Sequence, residues 1–461
     1  MKNTFDVISP VNNQLIERVK LTTKYQITKI LRDIPDNGLS IPGNEILQFL
    51  RRLSKTFKQM KEEFFKRTWL ETGFIAKDSM EMVESAIEYL NYFEGFAKES
   101  GSVEKIFPFS YELTNQRRMK ITQRPLRCVA GIVPQNASLP LSVIIIASAL
   151  YSGARVVIRP SLQCASTGEL LAEAVKASRP PDSCVQVINC LANDFLDACY
   201  NSHCVDLIHY IGSNRYATSV LSDAFTHGKI ALLDGQGNGM LYFDDTFPID
   251  EGIDIIVKGA TRFNGETCTS INGVLIKENI YEDVRRRLID AFSKLKTGHP
   301  LDKDVEVGPL FSTKQAINLS NSITGTHARF SCGGKPNGAF FTPAVIEHAS
   351  IKDPIVQEGF FGPVIWITKI KKDQLWKWVG GNRFPLSDTI LSKDKELITT
   401  FARRSKAARI CVNQDPSVES MFEPWGGYPP SGLNPVSAWV EKYKQPFQFD
   451  GLIEDVFDLN I

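Results

Sequence analysis

The chain has 461 residues, 43% of them hydrophobic and 23% charged, with a formal net charge of +1. That is the balance of a soluble globular protein long enough for two or three lobes with sizeable cores. A charge so near zero argues against nucleic acid or another polyanion as partner, and the N-terminal Met1-Lys2-Asn3-Thr4-Phe5-Asp6 carries no apolar signal core.

The nine cysteines are scattered and contain no Cys-x-x-Cys pair. They read as reduced thiols of a cytoplasmic protein, against a disulfide framework and against a zinc site. The longest apolar run, 139–151, is too short to span a bilayer and holds Pro140, Ser142 and Ser148. A buried helix is expected there, and no membrane association.

Residues 5–20 are expected to form two strands joined by a turn at Pro10-Val11-Asn12-Asn13. From Asn44 to about Thr72, Ile46, Phe49, Leu50, Leu53, Phe57, Met60 and Phe64 recur mostly at spacings of three and four, which predicts one long helix. A second helix is predicted from about Ala76 to Ser100. Residues 107–125 then read as a polar hairpin with no long apolar face, a ribbon that is stable only if something else covers it.

From Cys128 the pattern alternates. Strands are predicted at 128–133, 155–159, 185–188, 207–210 and 229–233, with helices at 139–151, 166–178 and 214–225. This spacing predicts a parallel, doubly wound sheet, which binds nucleotides at the carboxyl ends of its strands. After Gly235 a second α/β series begins, with a strand at 240–243 and a helix at 250–262. A strand follows at 273–276 and a helix at 281–295, with further units to about Gln414. Pro424–Gly432 reads as a loop and 439–449 as a second polar strand.

Between the 250–262 helix and the 273–276 strand lies Phe263-Asn264-Gly265-Glu266-Thr267-Cys268. Gly265 gives the backbone freedom to turn, and a thiol beside oriented backbone N–H groups is a candidate nucleophile.

The order of motifs resembles the aldehyde dehydrogenase superfamily over roughly residues 5–450. Val133-Pro134-Gln135-Asn136 is similar to that family's Pro-Trp-Asn loop, and Arg159-Pro160-Ser161 to its Lys-Pro-Ser-Glu segment. Tyr210-Ile211-Gly212-Ser213 resembles Phe-Thr-Gly-Ser, and Gly265-Glu266-Thr267-Cys268 resembles Gly-Gln-x-Cys. Val307-Gly308-Pro309-Leu310, Phe361-Gly362-Pro363-Val364 and Pro424-Trp425-Gly426-Gly427 match further stretches. The resemblance implies an α/β fold with a nucleotide-binding domain at 1–106 and 126–234 and a catalytic domain at 235–424. It implies also an oligomerisation ribbon at 107–125 and 438–461, completing a homodimer or homotetramer.

It further implies Cys268 as nucleophile and Asn136 as oxyanion donor. NAD or NADP is implied as cofactor, contacted by Val133, Pro134, Gln135, Arg159, Ser161, Gly212, Ser213, Asp234, Gly235 and Phe361. Arg159 and Leu162 replace the usual lysine and glutamate, a change that favours a 2′-phosphate. Gly359 stands where the family has a ribose-binding glutamate.

The family's water-activating glutamate falls on Leu233. Three readings follow. The enzyme passes its acyl group to coenzyme A, another thiol or a phosphate, or runs reductively. Alternatively it hydrolyses the acyl group with Glu266 or Asp234 as base. In the third reading it is a non-catalytic binding or scaffold protein. The first is favoured, with a small aldehyde or acyl compound as substrate, because Cys268, Asn136, Gly265, Gly212 and Ser213 occur together while the losses concentrate on water activation and ribose contacts.

Overall fold

A computed structural model describes residues 3–35, 41, 43–99, 105–111, 114–323 and 326–451. Two seven-stranded sheets organise it. In the first, the strands Cys128–Ile132, Arg155–Arg159, Val185–Val187, Val205–Ile211 and Ile230–Asp234 run parallel. Cys128–Ile132, Arg155–Arg159 and Val205–Ile211 are buried almost throughout because helices cover both sides, which is why they read as near-continuous apolar runs. The Ser138–Tyr151 helix is apolar all round and lies in the core between that sheet and the helix Ala76–Glu99.

This sheet does not end where the sequence suggests. The stretch read as a loop after Pro424 forms strands Trp425–Gly427 and Gly432–Ser437, and the latter pairs antiparallel with Ile230–Asp234. The chain therefore returns to the first sheet after building the second. Glycine and proline mark turns in sequence, but here they occupy short edge pairings where close backbone approach matters more than side chains.

The second sheet runs in the order Arg329–Cys332, Ala344–Glu347, Val364–Ile370, Ile271–Lys277, Gly239–Phe243, Ser387–Leu391, Arg409–Val412. All its pairings are parallel except the first. Trp366 and Phe243 are fully buried on it. The long helix expected over 44–72 is two helices, Gly43–Gln59 and Lys61–Thr72. Phe57 stacks on Phe64 across the junction at 4.6 Å, so the apolar repeat continues through a break it does not reveal.

Strands Lys105–Tyr111 and Thr114–Pro125 form the expected hairpin, and Lys444–Gly451 adds to Thr114–Pro125 as a third strand. The predicted strand from residue 439 begins instead as a helical turn, Trp439–Glu441. Residues 452–461 of the expected ribbon lie outside the described residues. No helix among the described residues is long and apolar enough to cross a membrane.

Candidate active site

The carboxyl ends of the first sheet's strands and the amino ends of strands Gly239–Phe243, Ile271–Lys277 and Val364–Ile370 of the second face a cavity of 720 Å³. Cys268 and Asn136 both line it, Cys268 from the loop before Ile271–Lys277 and Asn136 from the loop after Cys128–Ile132. The cysteine loop has a backbone that sequence alone does not suggest. Phe263, Asn264 and Gly265 all have positive φ, at 52°, 57° and 66°. Two of these are not glycine, so the left-handed run must be held by partners.

Those partners are specific. Phe263 N–H donates to Asp78 Oδ2 at 2.7 Å. Asn264 Nδ2 donates to the Pro309 carbonyl at 2.9 Å, and its Oδ1 accepts from Gly308 N–H at 2.8 Å. Across the loop, Gly237 approaches so closely that a Cβ there would lie 1.9 Å from the Cys268 carbonyl oxygen.

Cys268 is half-buried and is the one cysteine of nine that lines this cavity. Burial pushes its thiol well above the ordinary cysteine range. The negative charges of Glu419 and Asp234 push it further, with Arg409 opposing weakly. An activated cysteine sits in an electropositive setting; this one rests as a thiol and needs a proton acceptor. Asn136 lines the cavity, and its carboxamide makes no hydrogen bond within the described residues. A free amide opposite a nucleophile suits an oxyanion that forms only during reaction.

Two carboxylates named from sequence are engaged by other groups. Glu266 is fully buried and does not line the cavity. Its Oε1 accepts from Gln315 Nε2 at 2.7 Å and from Phe311 N–H at 3.2 Å. Burial raises its carboxyl well above the usual range, with the Phe311 N–H and Gln315 opposing. Glu266, the candidate base, is thus held by Gln315 and Phe311 outside the cavity that Cys268 lines. Asp234 does reach the cavity wall, but its Oδ2 is bound by His209 Nε2 at 2.6 Å and by Asn434 Nδ2 at 2.8 Å. Leu233 is buried.

Of the ten expected cofactor contacts, Pro134, Gln135, Gly212, Ser213, Asp234, Gly235 and Phe361 line the cavity, and Val133, Arg159 and Ser161 do not. Val133 is buried, and its N–H donates to the Arg159 carbonyl at 3.2 Å. Ser161 Oγ donates to Gln163 Oε1 at 3.0 Å. Gly212 and Ser213 open the helix Asn214–Thr226, whose dipole favours an anion at that end. A Cβ at Gly235 would lie 2.2 Å from Asn214 Oδ1, so this wall admits a ligand only without a side chain.

Arg159, at the end of its strand, donates through Nε to the Cys190 carbonyl at 3.2 Å. Burial lowers its pKa, and no carboxylate among the described residues pairs with it. An arginine so placed is a fitting partner for a phosphate. At Gly359, φ is +70° and a Cβ would lie 2.7 Å from Asn272 Oδ1, so a glutamate does not fit there. Glu358 is held by Arg383 at 2.6 Å. The residues present thus fit a dinucleotide along the first sheet.

Of the aromatic residues near the motifs, Phe263 and Trp425 line the cavity. Phe422 turns into the core, stacked on Tyr89 at 4.9 Å. Sequence reading missed Glu419 and Thr269, which line the cavity beside Cys268. Glu419 belongs to no motif, and no local pattern could have singled it out.

A model of the aldehyde dehydrogenase family matches residues 1–447. The lactaldehyde dehydrogenase of Methanocaldococcus jannaschii is 23% identical over 445 residues, covering 94% of this chain and 93% of that protein. An NADP dependent enzyme of E. coli superposes with a TM-score of 0.90 at 20% identity, covering 98% of this chain and 95% of its own. A Bacillus cereus aldehyde dehydrogenase, solved as its NAD+ complex, gives a TM-score of 0.89 at 21% identity, with 98% and 93% covered. With the fold, the cysteine loop and a match over nearly its whole length in agreement, the chain belongs to the aldehyde dehydrogenase family, oxidoreductases that act on aldehydes with NAD or NADP.

Proposed function

We propose that this chain oxidises or forms a small aldehyde with NAD(P) through a thiohemiacetal and a thioester on Cys268. We further propose that the acyl group is exchanged with an acceptor other than water, or that the reaction runs reductively. The observation that carries the second part is the buried Leu233 at the position of the family's hydrolytic glutamate, with Glu266 buried outside the cavity. A thiol needs less help than water to attack a thioester, because part of it is already thiolate near neutral pH.

In this reading Cys268 Sγ adds to the carbonyl carbon. The oxygen that gains the electron pair is met by the Asn136 amide and the Cys268 backbone N–H. Gly212, Ser213 and the helix behind them hold the pyrophosphate, and the bound nicotinamide supplies the hydride acceptor. Residues 1–106 and 126–234 form the cofactor lobe and 235–424 the catalytic lobe, with a dimer or tetramer assembled through the ribbon.

The test is acceptor dependence. With an aldehyde and NADP alone, steady turnover is expected to stay low, and coenzyme A or a simple thiol is expected to raise it at least tenfold. Full turnover in the absence of any thiol, with free acid as product, would sink the non-water reading.

The unpaired Arg159 supports NADP over NAD. A charge-assisted contact to the 2′-phosphate is worth about 1.5–3 kcal/mol. Arg159→Ala is thus expected to raise KM for NADP about tenfold to a hundredfold while changing KM for NAD little. Equal losses with both cofactors would remove Arg159 from phosphate recognition.

A further inference from the structure

An oxyanion donor works only if it is held in place before charge develops. Asn136 makes no hydrogen bond within the described residues, so its place is set by its neighbours in the chain. It lies between the end of the buried strand Cys128–Ile132 and the start of the buried helix Ser138–Tyr151. On the strand side, Val133 N–H donates to the Arg159 carbonyl at 3.2 Å. On the helix side, Leu141 N–H donates to the Ala137 carbonyl at 3.1 Å. Between these points, Pro134, Gln135 and Asn136 take part in two hydrogen bonds among the described residues, and both belong to Gln135.

Gln135 Nε2 donates to the Glu71 carbonyl at 2.9 Å, and the Cys164 thiol donates to the Gln135 carbonyl at 3.4 Å. Glu71 lies in the last turn of the helix Lys61–Thr72, where carbonyls have no partner within the helix, so one is available to the glutamine. That carbonyl is itself well fixed. The Glu71 side chain is 1% exposed and reaches the first turn of the helix Ala165–Ala177. Its Oε1 accepts from Ser166 N–H at 2.8 Å and its Oε2 from Thr167 N–H at 3.2 Å. Gln135 therefore ties the loop to a residue that two helices hold still. Gln135 stands where the family's Pro-Trp-Asn loop has tryptophan, so an amide clasp is this chain's own.

We infer that Gln135 is a positioning residue for the reaction: by clasping the Glu71 carbonyl it fixes the loop from which Asn136 meets the oxyanion. A displacement of about 1 Å in such a group is enough to cost about a hundredfold in rate. In this role Gln135 touches no reacting atom. The inference rests on the reading of Asn136 as oxyanion donor.

The test uses p-nitrophenyl acetate, which acylates a cysteine without any cofactor, so a part taken by Gln135 in holding the dinucleotide does not enter. The acetyl group passes to Cys268 Sγ, and p-nitrophenolate leaves with the electron pair of the broken ester bond. The first-turnover burst, followed against ester concentration, separates the limiting rate from the binding constant.

Gln135→Met keeps the length of the side chain and removes the donor. It should lower the limiting rate about tenfold to a hundredfold and change the binding constant by less than about twofold. Gln135→Glu keeps the shape of glutamine but sets an acceptor against the Glu71 carbonyl, and it should lose at least as much. In the Asn136→Ala background neither change should lower the rate by more than about twofold, since the donor they position is gone.

A full limiting rate in either variant, a loss confined to the binding constant, or an equal loss with and without Asn136 overturns the inference. A full burst in Asn136→Ala alone is a different failure: it refutes Asn136 as the oxyanion donor, and the inference falls with it.

Discussion

Cys268→Ala is expected to lower aldehyde turnover about ten-thousandfold or more, the scale seen when a covalent nucleophile is removed. Three features make the expectation sharp. No other cysteine lines the cavity, so no neighbour can substitute. The left-handed run at 263–265 is held by Asp78, Gly308 and Pro309, none of which contacts the thiol through these bonds, so the loop should keep its shape. The thiol itself is half-buried, and truncating it should cost no more than about 1 kcal/mol of stability. The measurement is NADPH absorbance in steady state, paired with intact-protein mass after mixing with aldehyde and NADP. The acyl adduct should appear on the unaltered chain and be absent from the variant. Residual turnover above about one part in a hundred would sink the covalent mechanism.

Asn136→Ala is expected to cost about a hundredfold to a thousandfold in kcat, the effect of losing one oxyanion donor. Its thermal midpoint should stay put. The Asn136 carboxamide has no hydrogen-bond partner among the described residues, so truncation orphans no buried group. Activity and stability should therefore separate cleanly, which is unusual for a residue in the wall of a core sheet. The KM for aldehyde should change less than kcat, because the amide meets charge that is present mainly in the transition state. A midpoint drop that tracks the loss of activity would mean that Asn136 shapes the loop rather than the reaction.

Much of the first sheet was legible because its central strands are buried and its helices alternate with the strands at regular spacing. Motif order singled out Cys268 and Asn136, and both line one cavity. Three things were not legible. The break at Met60 lies inside an unbroken apolar repeat, so periodicity ran straight through it. The strands at 425–437 are written in glycine and proline, and their pairing depends on a strand some two hundred positions earlier. Glu266 is two residues from Cys268 and looked like a ready base. It is buried outside the cavity instead, on Gln315 and Phe311, and the left-handed backbone before it is held by Asp78, Gly308 and Pro309 far off in the chain. Glu419 is the counterpart, remote in sequence and at the cavity wall with Cys268. Local patterns record periodicity and turn chemistry; they do not record which distant side chain arrives at a loop.

The close approach of Gly237 to the cysteine loop carries a consequence for inheritance. Every missense change at codon 237 adds at least a β-carbon, and that carbon would fall 1.9 Å from the Cys268 carbonyl oxygen. The loop would have to retreat and carry the nucleophile with it. Selection therefore sees codon 237 much as it sees codon 268, although the glycine takes part in no chemistry. A variant there would read as a null allele in a gene whose reactive residues are all intact.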